Sequence, residues 1–419
     1  MKIQRCKGTR DLSPSEMVRF RRIEDAFRDY CLGWGYEEVR TPTLEYLHLF
    51  TSTGTLTPGM LGRVYSFLDW DGWSGERVVL RPDGTIPVAR FYIDAQKKRG
   101  QSKLFYVANV FVFEETGKES RERWQCGVEL IGTGSNMADV ELMTMSLEIL
   151  SKLGLTGVEV KLSHAGLIRA ILIKLGLSPR EQERIFDQIL DGDMKALAGI
   201  KSIGREPNRS LMKLLKLKGK SSGLLKNLRA TTVMDIPELE PALDDFTRIV
   251  ELVESLGYEY QIDVASGRGF EYYTGVIFQL FVGGKKVGGG GRYDGLIPVL
   301  GGPDIGASGF ALYVDRLMNL IAPEDSAGTE ARRILVKAEQ SMVKEGFGVA
   351  RALREAGYVT ELDLGAGGQA DSRWILEVQG KAPLFVLTDV LNSARFEGQT
   401  ASDILDILTK ETGRENSST

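Results

Sequence analysis

Histidine and cysteine are scarce in this chain of 419 residues, which has two histidines and three cysteines. Two imidazoles, His48 and His164, are too few for a histidine-based metal site, and a Ser-His-Asp triad is not expected. Cys6, Cys31 and Cys126 are odd in number and scattered, so they form neither a disulfide framework nor a CxxC metal pair. No apolar run approaches membrane-spanning length, and the opening MKIQRCKGTRDL has no apolar leader core. A cytoplasmic protein without a membrane role is expected. The net charge of −4 provides no global basic field, so a nucleic-acid role would need a local patch. The P-loop pattern GxxxxGK[ST] is absent as well.

The length suits two or three domains with an ample core. Ser13-Pro14-Ser15-Glu16 is a helix start with a capping box, and Phe20, Ile23, Phe27, Tyr30, Cys31 and Trp34 follow at helical spacing. Strand patterns occupy 77–129, and 138–153 is helical. A mostly helical insertion covers about 166–255, and strands return at 258–264, 273–282 and 306–312. The stretch PEDSAGTE within 323–331 is a linker. Beyond it, 332–411 alternates strand and helix, with a helix at 372–378, and predicts a small α/β domain with a parallel sheet. Residues 412–419 are a tail.

Several constellations could carry chemistry. After a strand, Arg81-Pro82-Asp83-Gly84-Thr85 brings an acid and a hydroxyl into a turn, a pair able to hold an ammonium group; RPDG alone is ordinary turn chemistry. Gln125 and Glu129 lie four apart on one strand and share a face. They could read a polar side chain, or belong to a solvent-facing hairpin. Gly267-Arg268-Gly269-Phe270-Glu271-Tyr272-Tyr273 and Gly288-Gly289-Gly290-Gly291-Arg292-Tyr293-Asp294 let backbone approach a ligand, or form a flexible hairpin. Near 306–316 a glycine-rich strand passes into a helix bearing Arg316, which could stack on a nucleotide. The basic run Lys213, Lys216, Lys218, Lys220, Lys226 and Arg229 reads first as a solvated face.

Taken in order, KGTRDL, GYEEVRTP, RPDGT, the hairpin ending QCGVE, RGFEYYTG, GGGGRYDGL and GFALYVDR resemble the histidyl-tRNA synthetase family over most of residues 1–320. The C-terminal module resembles that family's anticodon-binding domain more loosely. The resemblance implies an α+β class II core over 1–322, an antiparallel sheet flanked by helices, forming a homodimer. By the same resemblance Asp83 and Thr85 hold the α-amino group of histidine, Gln125 and Glu129 line its pocket, and Tyr272 and Tyr273 close on the imidazole. Arg268 is expected among the histidine-binding residues too, and Arg268 and Arg316 stand where a ligase keeps its catalytic and ATP-stacking arginines.

Departures from the family point elsewhere. Its phosphate-gripping arginine is replaced by Val112, its RPEGT turn has Asp83, and the loop after Glu114 lacks Arg-Pro-Gln. Losing one bidentate, charge-assisted contact costs about 3–4 kcal/mol, roughly 10²–10³ in rate. Arg81-Pro82-Asp83 with Ala89-Arg90, and Ser163-His164-Ala165-Gly166-Leu167, resemble the synthetase paralogue that serves as regulatory subunit of ATP phosphoribosyltransferase. That resemblance implies no catalytic residues, no cofactor and no metal. It implies L-histidine as ligand and a short-form catalytic subunit as partner in a hetero-oligomer, in the first step of histidine biosynthesis and its feedback, with tRNA not expected. The alternative is a divergent histidine–tRNA ligase using Arg268 and Arg316.

Overall fold

Ser13 opens the first helix, α1 (Pro14–Gly33), as the sequence predicts: its hydroxyl accepts the Glu16 N–H at 3.3 Å while the Glu16 carboxylate accepts the Ser13 N–H at 2.8 Å. Gly35, with φ of +78°, turns the chain out of the helix, a conformation costly for a residue with a Cβ. A computed structural model describes residues 3–53, 64–69, 75–96, 99–112, 120–174, 176–178, 181–182, 214, 216–233, 236–264, 272–322, 332–365 and 372–416. It divides into two compact units, Met1–Ala322 and Pro323–Thr419.

The first unit is built on a nine-stranded sheet. Its strands are β1 (Glu37–Glu38), β5 (Ser102–Phe111), β6 (Glu122–Ile131), β7 (Glu159–His164), β8 (Lys218–Gly219), β9 (Tyr260–Asp263), β10 (Val276–Val282), β11 (Lys285–Arg292) and β12 (Ala307–Tyr313). The spatial order is β1-β5-β6-β12-β11-β10-β7-β9-β8. From β5 to β7 every pairing is antiparallel, as expected; β1 beside β5 and β9 beside β7 are parallel, so the whole sheet is mixed. Gly283 and Gly284, with φ of +55° and +75°, form the two-residue turn between β10 and β11. A small sheet, β2 (Leu44–Tyr46), β4 (Arg77–Leu80) and β3 (Ser66–Leu68), leads to α3 (Thr85–Phe91), with the short α2 (Leu47–Thr51) between β2 and β3.

Alternation along β6 separates two faces. Trp124, Cys126, Val128 and Leu130 point toward α1 and α4 (Asn136–Lys152), where Phe20 meets the Trp124 ring edge-on at 5.1 Å and Phe27 meets Phe105 at 5.9 Å. Gln125, Gly127 and Glu129 point to the opposite face. There α3 lies over β5, its Val88 packed with Leu104, Tyr106 and Ala108. Behind β7 come α5 (Ala165–Lys174), α6 (Ser222–Thr232) and α7 (Glu240–Ser255). Ser178 and Glu181 form the expected capping pair; residues 183–213 lie outside the described residues. The short helices α8 (Leu296–Val299) and α9 (Val314–Leu317) flank β12. No described helix is long and apolar enough to cross a membrane.

The second unit corrects two expectations. Residues 374–378 form a strand, not a helix: β15 (Trp374–Val378) buries Trp374, Leu376 and Val378 at period two. The sheet order is β14 (Val359–Leu362), β13 (Arg333–Ala338), β15, β16 (Phe385–Asp389), β17 (Ala394–Gly398). Only β14, β13 and β15 run parallel; β16 and β17 are antiparallel, because short turns join them where a parallel sheet would need crossovers. The helices α10 (Val343–Glu355) and α11 (Ala401–Asn416) cover it. Arg373, next to β15, is buried against Asp389 at 3.0 Å.

Candidate functional site

The open face of the sheet is cleared by glycines where the site residues lie. Register places Gly309 of β12 opposite Glu129, and Gly291 of β11 opposite Gly309. A Cβ at Gly309 would collide with the Glu129 carboxyl and the Tyr293 hydroxyl, one at Gly127 with the Tyr106 ring, and one at Gly291 with the Tyr273 ring. The glycine run is therefore a paired strand rather than a flexible hairpin, and its last member, Gly291, makes room for a tyrosine ring.

Asp83 and Thr85 sit in the turn between β4 and α3, both buried. Asp83 Oδ1 accepts the Ile86 N–H at 2.8 Å and so caps the first turn of α3; Oδ2 lies 3.5 Å from the Tyr272 hydroxyl. Burial pushes its carboxyl up to about 6, against the pull of the Ile86, Thr85 and Gly84 N–H groups and the Tyr272 hydroxyl. The neighbouring Arg81 is buried beneath the turn. It binds the Asn109 carbonyl at 2.8 Å and the Thr41 carbonyl at 2.9 Å, so it braces the corner at Pro42. Arg90 is likewise occupied, its Nε and a terminal nitrogen holding Glu45 at 3.0 and 2.6 Å.

Glu129 is 1% exposed. Its Oε2 accepts the Tyr293 hydroxyl, and the Tyr106 hydroxyl lies 3.4 Å from Oε1. Burial pushes this carboxyl up to about 8, although the hydroxyls of Tyr293, Thr85 and Tyr106 favour the charged form. Tyr272 stands edge-on to both Tyr273 and Tyr293, each at 5.4 Å, closing an aromatic wall around the acid pair. Gln125 is buried four residues before Glu129 on the same face, opposite Tyr313 of β12. The structure thus brings Asp83, Thr85, Glu129, Tyr272 and Tyr273 together through shared hydrogen bonds and ring contacts. Tyr106 and Tyr293, which were not singled out from the sequence, belong with them. Strand alternation relative to Gln125 was the available signal for Tyr106; Tyr293 stands beside the glycine run.

The other end of this face has a different character. Val112 closes β5, its N–H bound to the Arg121 carbonyl at 2.9 Å. The Arg121 side chain packs along Gly8, whose carbonyl accepts the Arg121 N–H at 2.8 Å. Arg316 donates to the Lys286 carbonyl at 2.8 Å and stacks on Tyr313 at 5.1 Å. Asp315 holds Arg10 at 2.8 Å and the Trp124 N–H at 2.8 Å, so the N-terminal segment is tied to this end. Arg268 lies outside the described residues, as do Phe113 and Glu114.

Beneath the tyrosines runs a buried charge network. Arg292 grips Asp139 of α4 through Nε at 3.1 Å and a closer terminal nitrogen, and Asp245 of α7 at 3.1 Å. Ser308 also donates to Asp139, at 2.8 Å. His164 Nδ1 accepts the Gly166 N–H, so Nε2 carries the proton shared with Asp245 at 3.0 Å. Burial opposes ionisation of Asp245, yet His164, Arg292 and Asn136 hold its carboxyl down at about 2. The Arg292 carbonyl accepts the Thr274 N–H at 2.8 Å, which anchors the segment after Tyr273. His164 is thus a structural histidine. Among the described residues no cluster of His, Cys, Asp and Glu could hold a metal.

Three of the five described members of the basic run are paired with acids: Lys218 with Asp263 at 2.9 Å, Lys226 with Glu251 at 2.7 Å and Arg229 with Asp244 at 3.1 Å. Lys213 lies outside the described residues.

Comparison with known proteins bears on what such a site does. The family model for histidyl-tRNA synthetase matches residues 8–317. The ATP phosphoribosyltransferase regulatory subunit of Dehalococcoides mccartyi is 51% identical over 409 residues, covering 98% of this chain and 99% of that protein. The histidine–tRNA ligase of Methanocaldococcus jannaschii is 34% identical over 370 residues, 86% of each chain. A crystal structure of an ATP phosphoribosyltransferase regulatory subunit/histidyl-tRNA synthetase from Bacillus halodurans superposes with a TM-score of 0.76 at 25% identity, covering 91% of this chain and 100% of that one.

Proposed function

The chain belongs to the histidyl-tRNA synthetase family, and we propose that within it the protein works as a regulatory subunit of ATP phosphoribosyltransferase rather than as a ligase. The observation that carries this reading is the contrast between the two ends of one sheet face. At one end a buried, acidic, tyrosine-walled cluster has polar groups suited to an amino acid with an imidazole side chain. At the other, Val112 stands where adenylation needs a cation on the α-phosphate. The protein as proposed binds L-histidine, does not activate it, and joins a separate catalytic subunit that performs the first step of histidine biosynthesis. The full-length identity to a protein named as such a subunit supports it. So do the ion pairs that occupy Lys218, Lys226 and Arg229, which lower the charge that run offers to tRNA.

In this reading Asp83 and Thr85 receive the α-amino group, Gln125, Glu129, Tyr272 and Tyr273 surround the side chain, and Arg268 is a further histidine-binding residue. Tyr106 and Tyr293 hold Glu129. A homodimer built on the corner at Pro42 forms the core of the hetero-oligomer, in the cytoplasm. Mixing the purified chain with a short-form catalytic subunit tests it: phosphoribosyltransferase activity should appear and fall on adding histidine. Histidine-dependent exchange of pyrophosphate into ATP by this chain alone would overturn the proposal in favour of a divergent histidine–tRNA ligase that uses Arg316 and Arg268.

A further inference from the structure

The pocket contains an electrostatic problem that its own residues leave open. Both carboxyl oxygens of Glu129 meet hydroxyl groups: Tyr293 at Oε2 and Tyr106 at 3.4 Å from Oε1. The titratable groups that face it are Asp83 from the turn before α3, Tyr106 from β5, Tyr293 after β11, and Tyr272 and Tyr273 before β10. Tyr36, after α1, also feels the Glu129 charge, but its hydroxyl is bound to Glu141 at 2.8 Å. Opposite Glu129 on β12 stands Gly309, which has no side chain to offer, and Tyr313 of the same strand acts on Tyr273. Among the described residues no lysine, arginine or histidine bonds to Glu129.

Among the described residues no cation bonds to Glu129 or Asp83, and two neighbouring buried carboxylates left so do not both stay ionised. Asp83 has backbone N–H groups of the α3 start to hold its charge, whereas Glu129 has neutral hydroxyls alone. The proton therefore belongs on Glu129. We infer that Glu129 meets the ligand as a neutral carboxylic acid and bridges its proton to the lone pair of a ring nitrogen, while Tyr106 and Tyr293 keep the carboxyl group in place. The inference rests on the reading of this pocket as a histidine site. No proton enters or leaves: the one carried by the carboxyl group in the empty site is shared between oxygen and nitrogen in the filled one. Proton affinity then becomes a rule of selection. An imidazole has a basic nitrogen to receive the proton; a phenyl ring has none, and a carboxamide is only a weak acceptor. Burial that pushes Glu129 up to about 8 fits this state near neutrality.

The test counts protons. Titration calorimetry of the full chain with L-histidine, repeated in buffers of different ionisation heat, gives the net proton change on binding. Near pH 7 it should be close to zero. Above about pH 8 it should approach uptake of one proton, because the empty site is then ionised and must be recharged, and affinity should fall about tenfold per pH unit. Glu129→Gln should show no uptake at either pH. Uptake near one already at neutral pH, or none at either pH in the wild type, overturns the inference while leaving histidine binding intact. No binding heat at any pH overturns the histidine reading itself, and the inference with it. Should Glu129→Gln not fold, infrared spectroscopy of the unliganded wild type decides: a protonated-carboxyl band must be present at neutral pH and vanish above about pH 8, and its absence at neutral pH refutes the inference.

Discussion

Removing Arg292 should unbalance the unit in a way that acid repairs. Asp139 is 1% exposed, and its carboxylate has Arg292 as its only charged hydrogen-bonding partner among the described residues, with the Ser308 hydroxyl besides. In Arg292→Met the methionine keeps much of the apolar stem, but Asp139 is left as an unpaired buried charge. Breaking one side of such a pair costs about 3–5 kcal/mol. Asp245 loses less, because His164 and Asn136 still hold it. The pH dependence identifies the culprit. Burial already raises the Asp139 carboxyl, with Arg292 opposing it, so losing Arg292 raises it further. An acid raised in the folded state destabilises the fold at pH values above its unfolded pKa and ceases to do so as pH falls below its folded value. Wild type and variant should therefore converge on acidification, by about 1.4 kcal/mol per pH unit. Urea unfolding followed by circular dichroism at about pH 8 and about pH 5.5 measures this, and the C-terminal unit cancels in the difference. Asp139→Asn added to Arg292→Met should restore most of the loss. A variant within about 1 kcal/mol of wild type, or one that the second substitution does not rescue, would refute the assignment of Asp139 as the group Arg292 neutralises.

Three further outcomes are expected. Glu129→Gln should remove a destabilisation of the unliganded protein that grows from the ordinary glutamate value through about 8: the wild type should lose stability between about pH 6 and about pH 8 in urea titrations at about 1.4 kcal/mol per unit, and the variant should not. Gly127→Ala forces a methyl group into the Tyr106 ring and should cost about 1–3 kcal/mol of stability together with histidine binding, measured by thermal unfolding and calorimetry on the same sample. Ser13→Ala removes the hydroxyl of the capping box and should cost about 1 kcal/mol by urea midpoint, leaving histidine affinity unchanged because α1 lies behind the sheet.

The order of elements in the first unit was legible in the chain because each segment carries its own period and its own stops. Ser13 to Glu16 start α1, Gly35 ends it, and alternation along 122–131 marks a strand with Gln125 and Glu129 on one face. The motifs named most of the pocket, since Asp83 with Thr85 and Tyr272 with Tyr273 are neighbours in sequence as well as in space. The error at 372–378 came from the same local logic: a short apolar run does not distinguish helix from buried strand until its partners are known, and β13 and β16 supply them.

What the sequence by itself determined is family, element order and the residue types around the candidate pocket, because these depend on local spacing. Only the tertiary structure decided how those residues act on one another. It laid Tyr106 and Tyr293 on the two oxygens of Glu129 from strands distant in sequence, used one oxygen of Asp83 to cap α3, and spent Lys218, Lys226 and Arg229 on acids of neighbouring elements. The protonation of a buried carboxyl group depends on what surrounds it across the fold, and no stretch of sequence contains that environment.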